Sequence, residues 1–310
     1  MRRIFRVMAG RSSIYASEAR EKGIIGVDWF PFEDLSDRLP EKWREFNAVF
    51  IPLYLKEHPE KSKIAAGLSC GFTWTLAKGV KVGDLVLTPN GKGQYFVGEV
   101  ISEYIFAPGE NMPQRRKVAW YPDVIDRASM TQELRFSAGS IGTISELTQY
   151  SSELETLINS PSSIAPLMES ETIEDEVSFA LEAQLQQFLV ANWESTDLGR
   201  KYDIYQDDGT RVGVEYPTDT GRIDILAISK DGSELLVVEL KRGRVSDKVV
   251  GQIQRYMGFV VEELAAEGQK VSGAIIGFED DANLRRALVV APNIEFFRYE
   301  VKFRLISEKN

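Results

Sequence analysis

The dipeptide Asp231-Gly232 constrains this chain more than any other pair of neighbours, because it lies between two apolar runs, Ile223–Ile228 and Leu235–Leu240. Asp-Gly is the strongest short-range signal for a β-hairpin. With Asp231 and Gly232 as the two turn residues, the register follows. Asp224 stands seven residues before Asp231 and Glu239 seven after Gly232, so the two carboxylates face each other across the strands. Directly opposed residues have Cβ atoms about 5 Å apart, and like charges placed so are destabilising. A cation between them removes that cost. Lys241 lies two residues beyond Glu239 and therefore shares its face. The flanking runs are nearly continuously apolar, as in a buried strand, which argues against a pair of surface-strand ends. Two carboxylates and a lysine converging on one spot supply the groups for metal-assisted phosphodiester hydrolysis.

Composition narrows the setting. A length of 310 residues suggests one large or two ordinary domains. The 43% hydrophobic and 27% charged content is that of a soluble protein. No apolar run approaches the roughly 20 residues needed to span a bilayer, and the basic start Met1-Arg2-Arg3 is not followed by a signal-peptide core. One cysteine, Cys70, rules out an intramolecular disulfide and fits a reducing, cytoplasmic setting. With one Cys and one His, His58, a Cys/His zinc site within the chain is excluded. His58 sits in the polar run Lys56–Glu60, which reads as a solvated loop rather than a catalytic one. The net charge of −10 gives no bulk attraction to nucleic acid. A local basic strip, with metal ions offsetting the carboxylates, still permits DNA binding.

The run Asn159-Ser160-Pro161-Ser162-Ser163, with Pro166, reads as a linker. It divides the chain into a recognition domain over 1–158, a linker over 159–171 and a catalytic domain over 172–310. In the first part Gly83–Thr88, Tyr95–Ile101 and Val118–Tyr121 read as strands, and Glu41–Phe46 and Ile141–Leu147 as short helices. That is the pattern of a mainly β barrel with a few helices packed on it. In the second part Thr172 caps a helix whose apolar face is Val177, Leu181, Leu185, Phe188 and Leu189, with Glu182 beside it. The hairpin follows, then a helix over Ser246–Glu267, a strand over Val271–Phe278, a helix over Asn283–Leu288 and a strand over Phe296–Leu305. This order gives an α/β domain, a mixed sheet flanked by helices.

Gly221–Asp224, Val238–Arg242 and the helix segment Gly251–Tyr256 together resemble the PD-(D/E)XK nuclease superfamily, and within it the NucS (EndoMS) mismatch endonucleases. The resemblance covers roughly 172–303. It implies a restriction-endonuclease-like fold and Mg²⁺-dependent cleavage of double-stranded DNA, with Mn²⁺ as a substitute. It implies that Asp224, Glu239, the Leu240 main-chain carbonyl and Glu182 hold the metal. It also implies that Lys241 positions the attacking water or stabilises the phosphate, and that Gln252 orients the nucleophile or a ligand. Tyr256, one turn beyond Gln252, supports it or is simply core. Glu215 is a rival or additional ligand. Arg222, Arg242, Arg244, Lys248 and Arg255 form a basic strip for the DNA backbone.

In the first part, Gly23–Trp29 and Gly83–Thr88 resemble PUA-like modules, the superfamily that includes the EVE domains. Some members hold a modified base in an aromatic pocket, and an extruded base stacks between aromatic rings. Trp29, Trp74 and Trp120, with Asp28, are the candidates here; ordinary core aromatics are the alternative for each. Arg115 and Arg116 either contact phosphate or decorate a solvated loop. The combined expectation is a DNA endonuclease of modification-dependent restriction, homodimeric because two strands need two active sites. Repair of mismatched or branched DNA is the rival, and a non-catalytic nucleic-acid binding protein a third possibility.

Overall fold

The computed structural model describes residues 2–159 and 184–300; the expected linker beyond Asn159, the start of the helix after Thr172 and Glu182 lie outside the described residues. In the first half, β1 (Ile4–Val7), α1 (Ala16–Lys22), β2 (Ile24–Val27), α2 (Trp43–Glu57) and α3 (Lys63–Trp74) precede β3 (Leu85–Pro89) and β4 (Gln94–Val100). β5 (Ile105–Phe106), β6 (Gln114–Asp126), α4 (Gln132–Ala138), β7 (Ile144–Glu146) and α5 (Ser151–Asn159) complete it. One seven-stranded sheet runs in the order β2-β6-β4-β3-β1-β7, with β5 added to β6. The three strands expected here are present.

Two elements differ from the sequence expectation. The stretch Ile141–Leu147, expected as a helix, contains β7, which pairs antiparallel with β1 at Phe5↔Glu146 and Val7↔Ile144. The open edge of β1 supplies hydrogen-bond partners that local propensity does not foresee. Conversely, α3 carries no polar stripe to announce it. All of its residues except Lys63 and Trp74 are buried, and a helix apolar all round is a core helix. Its one sequence signal is Ser62, whose hydroxyl accepts the Ala65 N–H and caps the helix.

In the second half a helix over 184–191, α6, leads into β8 (Tyr202–Ile204), β9 (Val214–Thr218), β10 (Gly221–Ser229) and β11 (Glu234–Leu240). β12 (Arg244–Val245), α7 (Lys248–Phe259), β13 (Lys270–Gly277), β14 (Glu279–Asp280), α8 (Ala282–Val289) and β15 (Ile294–Arg298) follow. The sheet order is β15-β13-β11-β10-β8, and β9 pairs with the other end of β10. β11, β13 and β15 are parallel and β10 is antiparallel to β11, so the sheet is mixed. The connection β11–α7–β13 joins parallel neighbours, which requires a crossover of this length.

Alternation along β11 explains why both sheet faces are covered. Leu235 and Val237 join Val249, Ile253 and Tyr256 of α7 in one buried cluster. Leu236, Val238 and Leu240 join Ala274, Ile276, Trp193 and Leu198 in another. Each such aliphatic side chain contributes ~1.5–3 kcal/mol by leaving water. On α6 the expected apolar face is offset: Phe188 is 65% exposed, and the buried position belongs to Gln186.

The halves share a core. One cluster runs from Phe5, Ile64 and Phe72 to Tyr216, Ile223 and Tyr256. The Tyr216 hydroxyl donates to the Ile64 carbonyl of α3 at 3.0 Å. A Cβ on Gly67 of the same helix would come within 2.9 Å of that hydroxyl, so glycine is what allows the approach. Lys61 bridges Asp207 and Asp208 at 3.1 and 2.8 Å, and Arg44 bridges Asp219 and Glu262, each at 2.6 Å. No helix among the described residues is long and apolar enough to cross a membrane.

Candidate active site

The hairpin register is the expected one: Ile225↔Val238 through Ile228↔Leu235 pair across β10 and β11, and Asp224 and Glu239 are the next residue on each strand beyond the last of these pairs. The turn is wider than a two-residue one. The Gly232 N–H donates to the Ser229 carbonyl at 2.8 Å, and four residues, Lys230–Ser233, form the loop. The extra residues are added equally on both sides, so the register survives. Asp231 holds this loop, accepting the Ser229 hydroxyl at 2.6 Å and both the N–H and hydroxyl of Ser233 at 3.1 and 2.8 Å. These bonds, the Ser229 hydroxyl foremost, lower its pKa to about 2.

At the far end of the hairpin the carboxylates are held differently. Asp224 Oδ2 accepts the Leu240 N–H at 2.7 Å. A side-chain carboxylate thus takes a main-chain donor of the neighbouring strand, a short charge-assisted bond. Its own carbonyl accepts Nε2 of Gln186 at 2.9 Å, and Gln186 is 4% exposed. Glu239 is 1% exposed, and Lys241 Nζ lies 2.9 Å from its Oε1. The lysine expected on that face is therefore there, and it supplies part of the positive charge that two opposed carboxylates require. The Lys241 N–H is fixed to the Ile276 carbonyl at 2.8 Å.

Helix α7 closes the group. Burial raises the pKa of the Tyr256 hydroxyl; a hydrogen bond with the Gln252 side chain opposes this, and the charges of Glu239 and Asp224 add to it. The hydroxyl therefore lies within electrostatic reach of both carboxylates, although the ring belongs to the core. Gly221 makes room for it. Its φ is 151°, and a Cβ there would stand 2.6 Å from the Tyr256 oxygen. The glycine three residues before Asp224 thus has a defined physical task.

Four of the five expected catalytic residues, Asp224, Glu239, Lys241 and Gln252, fall in this one region, and the fifth, Glu182, lies outside the described residues. Gln186 was not anticipated. Its only sequence signal is its place one helical turn after Glu182. Of the basic strip, Arg242, Lys248 and Arg255 are exposed, and Arg244 lies in β12. Arg222 is turned elsewhere, to Glu215 Oε2 at 3.2 Å and the Glu146 carbonyl at 2.8 Å. Glu215, the rival ligand, is engaged by that guanidinium, and burial raises its pKa.

Arg115 and Arg116 are corrected: neither forms a solvated DNA-contacting loop. Arg116 is 1% exposed and donates to the carbonyls of Leu76, Ala77 and Ser102 at 2.7, 2.6 and 3.0 Å. Arg115 is bound to the Met112 and Asn111 carbonyls and to Glu110. Buried guanidinium groups are tolerated where main-chain oxygens satisfy them. Among the tryptophans, Trp74 donates to the Pro40 carbonyl and Trp120 to the Ala19 carbonyl, and both pack on core clusters. Trp29, stacked on Phe72, lines a cavity between the halves together with Asp28.

Two family models match separate parts of the chain. Residues 6–148 match a family described as Domain of unknown function (DUF8426), and residues 182–301 match the Endonuclease NucS C-terminal domain. Among solved structures, the chain is similar to an EndoMS complex with double-stranded DNA (15% identity, TM-score 0.32, covering 68% of this chain and 62% of that one). It is also similar to a repair endonuclease from Pyrococcus abyssi (16%, 0.31, 68% and 66%). EndoMS in apo form gives 15% identity and a TM-score of 0.30, covering 67% of this chain and 62% of that one. The chain thus spans less than two thirds of the length of each. No curated protein matches. Residues 182–301, which carry Asp224, Glu239, Lys241 and Gln252, are thus similar to the C-terminal domain of the NucS endonucleases.

Proposed function

We propose that this protein is a metal-dependent DNA endonuclease that cleaves modified DNA, a restriction activity. The observation that carries the reading is the buried Glu239 carboxylate beside Lys241, set opposite Asp224 in the hairpin register. The donor set fits a hard cation: two carboxylates and the Leu240 carbonyl are all oxygens. Among the described residues no cluster of three or more candidate ligand side chains occurs, so Glu182 would bring the third carboxylate. Mg²⁺, or Mn²⁺ in its place, would supply a Lewis acid for the phosphate and a more acidic water. Lys241 holds positive charge where the phosphate's negative charge grows. Gln252 orients the attacking water through its amide. Leu240 N–H and Gln186 fix Asp224 from two sides, so the carboxylate is positioned before substrate arrives. The exposed Arg242, Lys248 and Arg255 meet the DNA backbone, and two copies of the chain cut the two strands.

The test uses the full chain with Mg²⁺ or Mn²⁺ and three duplexes: unmodified, cytosine-modified and mismatched. Cleavage that requires the metal, prefers modified DNA and is abolished in Asp224→Ala is the expected result. Preference for the mismatch would replace restriction by repair. No cleavage of any duplex, or cleavage that survives the substitution, would overturn the enzymatic reading and leave a binding protein.

A further inference from the structure

A cavity of about 550 Å³ opens between the two halves, within the size range of small-ligand sites. One wall is aromatic. Trp29 lines it, backed by Phe72 with ring centroids 5.8 Å apart and planes 26° from parallel, and Tyr54 and Phe30 stand beside them. Polar groups border this wall. Asp28 Oδ1 accepts the Met112 N–H at 2.7 Å, which leaves Oδ2 for an N–H of a ligand. The Ser69 hydroxyl and the Lys61 ammonium also line the space.

The other wall belongs to the nuclease half. It includes Glu215 of β9 and Arg222 of β10. The ladder pairs Ile223↔Tyr216 and Ile225↔Val214 leave Glu215 on β9 level with Asp224 on β10. Glu215 has φ 53°, a left-handed backbone that a glutamate rarely adopts. Among the described residues, three of the six non-glycine positions with positive φ, Phe30, Asp208 and Glu215, line this cavity. Such backbones concentrate where a binding geometry is held against local preference. Behind the wall, the fully buried Arg6 bonds Ser140 and Ser145, which line the cavity, while its Nε has no partner among the described residues.

We propose that this cavity binds a planar heteroaromatic ring of nucleobase class, and that Glu215 and Arg222 carry its occupancy to the strand holding Asp224. The ring stacks on Trp29, and its amide-like edge is read by Asp28. The site takes its walls from both halves, so a bound ring fixes how the recognition half bears on β9 and β10. This rests on the assignment of Asp224 to the active site, but binding and coupling are each read without cleavage.

Two sources of such a ring are possible, a free nucleotide or a base swung out of DNA, and the experiment separates them. Tryptophan fluorescence is followed while the full chain, without metal, is titrated with nucleoside monophosphates and, separately, with duplexes carrying an unpaired or modified base. A saturable change that weakens at least tenfold in Trp29→Ala and persists in Trp74→Phe supports the site. A response to monophosphates indicates a free effector, and one to duplex alone a base of the substrate. No saturable response, or an equal dissociation constant in a Trp29→Ala protein whose circular dichroism spectrum matches the native one, overturns it. Coupling is read by hydrogen exchange of the β10–β11 amides with and without saturating ligand. Slower exchange in the native protein that is lost in Glu215→Gln, with binding retained, supports the relay. Unchanged exchange, or a change that survives the substitution, overturns it even if cleavage is later found.

Discussion

Individual atoms decide how Asp224 is presented. Gly221 has both a positive φ and a Cβ direction blocked by the Tyr256 hydroxyl. Gly221→Ala should therefore lower stability by ~1–3 kcal/mol. Removing the hydroxyl with Tyr256→Phe should recover part of that loss, so the double variant falls short of additivity by more than ~0.5 kcal/mol. Urea unfolding of the four proteins checks this; strict additivity would mean that the contact is not the cause. Gln186 makes a different prediction. Gln186→Leu keeps the volume but leaves the Asp224 carbonyl without its donor, at a cost of about 1–3 kcal/mol. Cleavage should fall further than stability does, because the lost bond fixes the strand at the carboxylate. Single-turnover rates measured well below the melting temperature test it.

At the scale of elements, the hairpin and the N-terminal arginines differ in what they owe to charge. The Asp231 carboxylate has a folded pKa of about 2, below its ordinary value. A depressed carboxylate contributes stability that is present above the unfolded pKa of about 3.9 and is lost as pH falls through the folded value. Asp231→Asn should thus flatten the acid limb of stability between about pH 4 and about pH 2, as read by melting temperature against pH. The arginine prediction separates structure from DNA contact. Arg116→Met strips donors from two buried carbonyls and one part-buried carbonyl and should cost on the order of 3 kcal/mol, yet leave the salt dependence of DNA affinity unchanged. Arg255→Ala, at an exposed position, should barely alter stability and reduce the slope by about one charge.

These elements also show which parts of the fold could be read from sequence. The hairpin register was legible because Asp-Gly centres the turn and strand alternation has a fixed period; its exact width was not, because Ser229 and Ser233 recruit Asp231 into a larger loop. Helix α7 was legible from its stripe of Val249, Ile253 and Tyr256. α3 was not, since burial on every side erases periodicity. β7 was not, since its partner lies about 140 residues away in the chain. Of the site, Asp224, Glu239 and Lys241 follow from register alone. Gln186 and the task of Gly221 depend on which helix lies over the sheet, and Arg115 and Arg116 look solvated until their carbonyl partners are placed.

Across the whole molecule, the shared core predicts that the halves unfold together. Tyr216, Ile223 and Tyr256 lie in the same buried cluster as Phe5 and Phe72, and the Lys61 and Arg44 ion pairs tie its margins. Calorimetry should show one transition; two separated transitions would mean that the common cluster does not couple them.

That cluster bears on how such a chain could be assembled by recombination. A fusion of two self-sufficient modules can be exchanged at the stretch joining them, because each brings its own sealed surface. Here α3 of the first half covers β9 of the second, with Gly67 making room for the Tyr216 hydroxyl. The second half grafted behind a foreign partner would present that tyrosine and its apolar neighbours to water. On the proposed function, new target specificities should therefore arise by change within the first half, while the face of α3 that meets β9 is inherited together with the second half.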